Sequence, residues 1–448
     1  MDKIIKDPVH GYISLSKKDL DIIDTFIFQR LKRIKHLPAD VVYPGATHTR
    51  FEHSLGVMAL SEFIFQTLKE QGVLAQKILT NEDEYKNTLR YAALLHDVGH
   101  TPLSHVCEKF GEDRQCLSKV LKRHGVNIKP KGSGASHEWT SCAIALDYFD
   151  DILKQNEVDL ELFCRTICGV PFEGEDEVLN PLIEIINSQT DADKLDYILR
   201  DSLMTGAVLT SIDKDRIIRS FTVVDNRLAL SKQALSVITQ LIYGRDALYL
   251  WVYTHHAVVY YQSLIQRYLM YLIDHGVPIQ DLFSLKSLVN GMDDHELYHL
   301  LRKHKDDYEY TKRLFEQIFS RRFYKTLWKN PFECIQVYGF SDLEIEKLLL
   351  DPPEQLEQAI IKEFNLPEFS VFVYEASFKP FEGYLSNILI GIGEKTFHFE
   401  SIFEERIYKI ANPKILANVP YVRLDPQIYC NTRKRNKIIE WLHQYSPY

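Results

Sequence analysis

The chain has no apolar stretch long enough to span a bilayer, no low-complexity tract and no long run of one charge. The first absence argues against a transmembrane helix, and the other two against intrinsic disorder. The start, Met-Asp-Lys-Ile-Ile-Lys-Asp, lacks a basic segment followed by an apolar one, so no secretory signal is expected and the cytoplasm is the expected location. Cysteine is sparse and unpatterned: Cys107, Cys116, Cys142, Cys164, Cys168, Cys334 and Cys430 make an odd set of seven with no CxxC pair. That pattern fits reduced thiols in a large intracellular chain rather than a disulfide frame or a zinc finger. Cys164 and Cys168 share a helical face, but without a second pair they read as core packing. Positive charge is in deficit too. A formal net charge of −9 argues against a broad grip on duplex nucleic acid, although an acidic protein can still hold a locally positive pocket. The one cationic cluster, Arg433-Lys434-Arg435-Asn436-Lys437, reads as the solvated start of a helix and gives no strong nucleic-acid signal.

What is present is the balance of a foldable globular chain: 448 residues, 45% hydrophobic and 26% charged, enough to bury a substantial core. Apolar positions at helical spacing predict helices over residues 17–36, 53–71, 87–98, 137–154, 178–201 and 231–275. Pro44-Gly45 and Gly111 punctuate the early ones. Residues 125–136, with three glycines, a proline and two lysines, predict a mobile surface loop. Near residue 365 the character changes. Residues 369–374, 389–392 and 396–399 are short, β-branched or aromatic, and bounded by Gly or Pro, which predicts strands. The expected fold is therefore mainly α, a helical body followed by a smaller C-terminal α+β region.

The chemistry-bearing feature is an ordered series of His and Asp residues in helical contexts. His53 lies in Arg50-Phe-Glu-His-Ser-Leu-Gly56, His96-Asp97 in Leu94-Leu-His-Asp-Val-Gly-His100, and an acidic pair in Asp191-Ala-Asp193-Lys-Leu-Asp196-Tyr197. Two imidazoles and two carboxylates make a shell for a divalent ion (Mn, Fe, Zn, Ni or Mg) that keeps positions open for water and phosphate oxygen. His96 and Asp97 are adjacent and can converge on one ion only near a helix end, which Gly99 and Pro102 supply. The residues alone leave Asp191 and Asp193 as equal candidates. Farther along, Lys194, Tyr197 and Asp201 fall on one helical stripe, suited to a phosphate and sugar hydroxyls; the plain alternative is a salt-bridged surface face. Arg50, one turn before His53, is placed to reach phosphates as a fork donor.

The series H…HD…D, with its middle member inside LLHDVGH, resembles the HD superfamily of metal-dependent phosphohydrolases. Asp7-Pro-Val-His-Gly11, Phe28-Gln-Arg-Leu-Lys-Arg33, Tyr43-Pro-Gly-Ala-Thr-His-Thr-Arg-Phe-Glu-His53 and Asp193-Lys-Leu-Asp-Tyr197…Arg200-Asp201 resemble its deoxynucleoside triphosphate triphosphohydrolase branch over roughly residues 1–270. The resemblance implies metal ligation by His53, His96, Asp97 and Asp193, the last preferred over Asp191 because the branch places its ligand immediately before Lys. It implies catalytic roles for Asp97, His100, His105 and His137, with His105 as general acid and Glu138 beside His137. It implies substrate contacts from Arg50, Lys194, Tyr197, Asp201, Leu37 and Tyr260. The activity implied is hydrolysis of dNTPs to deoxynucleoside and triphosphate. Other members of the superfamily act as nucleotide phosphodiesterases or monophosphatases, and a non-catalytic nucleotide-binding regulator is a third class.

The chain departs from the branch in two places. His36-Leu37 stands where the branch's animal enzyme has Gln-Leu, a Gln that helps read sugar and base. In Tyr249-Leu-Trp-Val-Tyr-Thr-His-His256…Tyr260-Tyr261-Gln262, His256 aligns with a branch histidine and Val252 with a phosphate-binding arginine, a role left to Arg245 or Arg267; Tyr260 or Tyr261 would exclude a ribose 2′-hydroxyl. Lys3, Asp24, Gln29 and Lys32 match positions that bind an activating nucleotide at a subunit interface, and a homo-oligomer, dimer or tetramer, is expected. The division that follows is 1–215 for the HD catalytic core with its amino-terminal interface segment, 216–364 for a helical extension closing the pocket, and 365–448 for the C-terminal α+β region.

Overall fold

The computed structural model describes residues 3–112, 114–128, 136–207, 211–375, 388–393, 395–399 and 418–447. The chain is mainly helical with small sheets. It forms two compact units, one of Met1–Leu248, Leu272–His299 and Glu382–Phe403, the other of Tyr249–Tyr271, Leu300–Phe381 and Glu404–Tyr448. These units interleave along the chain.

The helix Arg50–Glu70 is the axis of the first unit. It starts where the Glu52 carboxylate accepts the Thr49 N–H at 3.0 Å, a capping box, and it buries most of its surface, from Phe51 and His53 to Phe65 and Leu68, leaving a stripe at Glu52, Ala59, Phe63, Gln66 and Glu70 less covered. The helices Glu82–Leu95 and Ala192–Thr205 pack on it. The first opens on Glu82, Asp83 and Glu84, whose charge suits the positive end of the helix dipole. The second is capped by Asp191, which accepts the Lys194 N–H at 2.7 Å, and stops at Gly206 in the left-handed conformation. Asn187 ends the preceding helix Asn180–Ile186, so the expected helix 178–201 is interrupted by its own caps. The same holds for 17–36, which divides into Lys17–Ile23, Phe26–Gln29 and a 3₁₀ turn, and for 137–154, cut at Phe149. The expected helix 231–275 resolves into Leu235–Leu248, a π turn Tyr249–Tyr253 and His256–Asp274.

Two hairpins complete the first unit. Lys3–Asp7 pairs antiparallel with Gly11–Leu15, its turn held by Asp7 Oδ1, which accepts the Val9 and His10 N–H groups at 2.8 Å each. Phe221–Val224 pairs with Arg227–Ser231 across Asp225-Asn226, both at positive φ, the two-residue turn that suits strand twist. The strand Leu389–Ile392 adds to this second hairpin in parallel, Leu230 opposite Ile390, and pairs antiparallel with Lys395–His398. In the second unit, Pro420–Leu424 lies between Lys325–Thr326 and Val371–Glu375, and the helix Pro353–Glu363 packs on the latter strand. The three expected strands thus appear at Val371–Glu375, Leu389–Ile392 and Lys395–His398. Of the expected loop 125–136, residues 129–135 lie outside the described residues. All seven cysteines are free. No helix among the described residues is long and apolar enough to cross a membrane.

At the crossing of Arg50–Glu70 with Ala192–Thr205, a Cβ on Gly56 would overlap the Asp196 carboxylate and stand 2.6 Å from Arg200 Nη2. Gly56→Ala should therefore lower the unfolding free energy by about 1–3 kcal/mol, read as a lower urea midpoint at unchanged slope. An unchanged midpoint would contradict this packing.

Candidate metal centre

The helix Glu82–Leu95 stops where the chemistry begins, so His96 and Asp97 sit in the turn after it rather than on its barrel. Gly99 lets that turn press on the next helix, Ser136–Tyr148: a Cβ there would overlap the Ser141 nitrogen and come 2.7 Å from the His137 carbonyl oxygen. The Gly99 N–H donates to Ser141 Oγ at 2.8 Å. Behind the turn, Arg30 donates to the carbonyls of Val98 (2.6 Å), His100 (3.0 Å) and Met292 (2.9 Å). Burial lowers its pKa to about 10, and it stays charged at neutral pH.

Four donor groups converge here. His53 Nε2 lies 3.0 Å from Asp193 Oδ1, 3.6 Å from Asp97 Oδ2 and 3.4 Å from His96 Nε2, and His96 Nε2 lies 3.5 Å from Asp97 Oδ1. Donors each about 2.1 Å from a shared ion stand about 3 Å apart when adjacent in its shell. His53, His96 and Asp193, whose donor atoms all lie within 4.8 Å of one another, fit a divalent ion, and Asp97 reaches His53 through Oδ2 and His96 through Oδ1. The tautomers fit as well. His53 Nδ1 is bound to Asp196 Oδ2 at 2.7 Å and His96 Nδ1 to the Ala93 carbonyl at 2.7 Å, which leaves both Nε2 atoms facing the cluster. Burial works against a charged His53, but Asp193, Asp196 and Asp97 outweigh it and hold its pKa near 10, so Nε2 carries a proton that a metal ion would displace on binding. Asp191 is occupied otherwise. It caps its helix, accepts the Ser188 N–H at 2.8 Å and pairs with Lys194 Nζ at 2.7 Å, while burial raises its pKa to about 6.

Asp196 is fully buried. It accepts from Arg200 Nε and Nη2 at 2.9 Å each and lies 2.6 Å from His10 Nε2; Arg200 Nη1 donates onward to Asp7 Oδ2 at 2.9 Å. Burial alone would raise its pKa, yet Arg200 and the two histidines hold it well below the carboxylate range. Sequence reasoning missed this role, although Asp7, Asp196 and Arg200 all lie in the quoted motifs and the last two stand at i, i+4.

Beside the cluster, His100 stacks on His137 with ring centres 3.9 Å apart, and His105 meets both edge-on at 5.0 and 5.2 Å. Glu108, also missed, joins two of them: Oε2 lies 2.9 Å from His105 Nδ1 and Oε1 3.0 Å from His137 Nδ1. Burial would raise the Glu108 pKa, but the bonds to both histidines keep it strongly acidic. Burial opposes charge on His137, and Glu108 and Asp97 overcome it to raise its pKa. His100 Nε2 lies 3.1 Å from Asp97 Oδ1; burial, then Arg50 and His137, keep that ring neutral. His105 is the exposed member, its side chain 64% accessible. Burial raises the pKa of Glu138.

The remaining candidates are distributed as follows. Arg50 donates to Asp97 Oδ2 (2.8 Å) and Ser104 Oγ (2.9 Å), which directs it at a donor carboxylate. Leu37 is buried and Tyr197 half-buried. Asp201 is buried against His36 Nδ1 (3.2 Å) and His48 Nε2 (2.7 Å). Burial, with Arg50 and His53, lowers the His36 pKa to about 3. In the second unit Tyr260 is fully buried, donates to Gln317 and carries the Arg423 guanidinium over its ring at 4.0 Å. Arg267, in that unit, is paired with Glu357 at 2.9 Å, and His256 Nδ1 lies 2.8 Å from Arg423 Nη2. Val252 is buried in the π turn, and in the first unit Arg245 lies 3.5 Å from Asp246. At the amino-terminal end Gln29 donates to the Ile23 carbonyl at 2.7 Å, Asp24 closes a helix, Lys32 lies over Phe51, and Lys3 is exposed.

Known proteins resemble this chain in sequence and in fold. A family profile described as the HD domain matches residues 50–197, and one described as an HD associated region matches 212–401. An uncharacterized protein of Methanocaldococcus jannaschii is 32% identical over 371 residues, 81% of this chain and 67% of that protein. A Dictyostelium discoideum protein named deoxynucleoside triphosphate triphosphohydrolase SAMHD1 homolog is 27% identical over 325 residues, 72% of this chain and 59% of its own length. Against the latter the chain spans less than two thirds of its relative. The crystal structure of a hypothetical protein from Aquifex aeolicus superposes with a TM-score of 0.69 at 25% identity, over 97% of this chain and all of that one.

If Asp196 sets the tautomer of His53, Asp196→Asn should weaken divalent-metal affinity by about 10–100-fold with helical content retained, measured by competition with a chromogenic chelator. Unchanged affinity would show that the carboxylate only fills the core.

Proposed function

As this chain belongs to the HD superfamily of phosphohydrolases, with the HD-associated region behind its HD domain, we propose that it is a metal-dependent hydrolase that converts dNTPs to deoxynucleoside and triphosphate. The observation that carries the reading is the convergence of His53, His96, Asp97 and Asp193 beside three histidines tied through Glu108. The substrate class draws on the printed name of the Dictyostelium relative.

His53, His96, Asp97 and Asp193 would hold the ion, which when bound supplies Lewis-acid polarisation of a phosphoryl oxygen and activation of a water. The residues of the chain do the rest. His137, raised in pKa by Glu108 and Asp97, offers positive charge to the phosphate chain, as does Arg50, and Lys194 would do so only by leaving Asp191. His105 presents its ring to solvent with Nδ1 on Glu108, so when the ring is protonated Nε2 carries the proton given to the departing 5′-oxygen; burial lowers its pKa and Glu108 works against that. The bond between that oxygen and the α-phosphorus breaks, water adds to phosphorus, and the proton ends on the deoxynucleoside. Tyr197 and Asp201 serve the sugar, and Leu37 packs against it. His100, kept neutral and 3.1 Å from Asp97, orients that carboxylate.

Asp97→Ala should abolish metal uptake and lower turnover at least about a hundredfold, and triphosphate should be the phosphorus-containing product of the wild type. Retained metal and activity in that variant would reject the site. Pyrophosphate or orthophosphate as first product would reject the dNTP triphosphohydrolase reading in favour of another HD phosphohydrolase.

The reading extends to assembly as a homo-oligomer, dimer or tetramer, with an activating nucleotide at the interface near Lys3, Asp24, Gln29 and Lys32. Its support is an apolar surface at the amino-terminal end, where Ile4, Tyr12 and Phe26 are 63, 74 and 60% exposed. Light scattering with and without dGTP or GTP should show a multiple of the monomer mass. A monomer under every condition would remove this part.

A further inference from the structure

His36 stands closer to the metal cluster than the series H…HD…D requires. Its side chain is 7% exposed, its ring lies 4.3 Å from that of His53 at a 31° tilt, and one of its ring nitrogens lies within 4.8 Å of donor atoms of both His53 and Asp97. Its tautomer follows the pattern of the other two imidazoles. His53 is anchored through Nδ1 on Asp196, His96 through Nδ1 on the Ala93 carbonyl, and His36 through Nδ1 on Asp201. A neutral ring whose Nδ1 donates to an acceptor keeps its lone pair on Nε2. All three histidines therefore have Nδ1 engaged by an acceptor, which leaves Nε2 as the nitrogen available to a metal.

We propose that His36 supplies a fifth protein ligand to the metal, through Nε2, alongside His53, His96, Asp97 and Asp193. Asp201 is then an orienting carboxylate. It is already bound more closely by His48 (2.7 Å) than by His36 (3.2 Å), so satisfying Asp201 does not by itself explain a second histidine turned toward His53. Five protein donors leave an octahedral ion one exchangeable position where four leave two. Three nitrogens also move the site away from Mg²⁺, which favours oxygen and retains its waters, toward Mn²⁺, Fe²⁺, Co²⁺ or Zn²⁺. The proposal rests on the metal reading above.

The test uses the full-length chain, stripped by a chelator and loaded with Co²⁺ alone. Proton NMR of Co²⁺-loaded protein counts coordinated imidazoles, because each Nδ1–H gives a strongly shifted resonance that disappears in D₂O. Wild type should show three, from His36, His53 and His96. His36→Gln should show two, shift the visible Co²⁺ bands and bind Co²⁺ at least about tenfold more weakly, whereas His48→Gln, which shares Asp201 but not the cluster, should keep all three. Two shifted resonances in wild type overturn the fifth ligand and leave the four-ligand site standing, as would His36→Gln with unaltered bands and affinity. Wild type that takes up no Co²⁺ overturns both this proposal and the metal reading. The wild-type count stands even if a variant fails to fold.

Discussion

The structure turns on a carboxylate that water does not reach. Asp196 is fully buried between the helices Arg50–Glu70 and Ala192–Thr205, and an unpaired charge there would be prohibitively costly. Its charge is compensated by two bonds from Arg200, by His10 and by His53, and Arg200 reaches on to Asp7 in the turn of the amino-terminal hairpin. Each partner constrains a different part of the fold. Arg200 ties the hairpin to the helix, Gly56 is the residue that lets the two helices come this close, and His53 is held in one tautomer. Breaking such a pair on one side typically costs about 3–5 kcal/mol, so the network fixes both the packing and the direction of the His53 lone pair.

Around that anchor the other donors arrive by separate devices. His96 and Asp97 come from a helix that ends one residue earlier and is clamped from behind by Arg30. Asp193 comes from the first turn of a helix whose start is set by Asp191. The neighbouring histidines depend on a further carboxylate, Glu108, which orients His105 and His137 with its two oxygens. The chain thus uses buried or half-buried carboxylates in two ways, as donors facing the cluster and as acceptors that aim imidazoles.

The order H…HD…D was legible because it is carried by residue identity, and the fold brings those four groups together. Strand segments such as Leu389–Ile392 were legible from β-branched content, whereas the parallel partner Arg227–Ser231 was not, since parallel pairing joins distant segments and leaves no local period. The hairpin turn Asp225-Asn226 between apolar residues carried a usable signal, in a stretch between the expected helices 178–201 and 231–275 that was given no element. Asp196 and Glu108 were missed for another reason. A carboxylate three residues from a ligand or a histidine reads as a solvated face unless its depth is known, and depth is set by packing that no local pattern records. The same limit applies to Lys194, whose charge faces Asp191, and to His36, which sequence comparison marks only as a departure.

Whether the buried network presents His53, His96, Asp97 and Asp193 to one divalent ion is decided most directly by anomalous X-ray scattering at the metal edge, from crystals of the full chain grown with Mn²⁺. An anomalous peak is expected within coordination distance of His53 Nε2, His96 Nε2, Asp97 and Asp193, with Asp196 still on His53 Nδ1. No peak there, or density confined to the His100, His105 and His137 group, would contradict it.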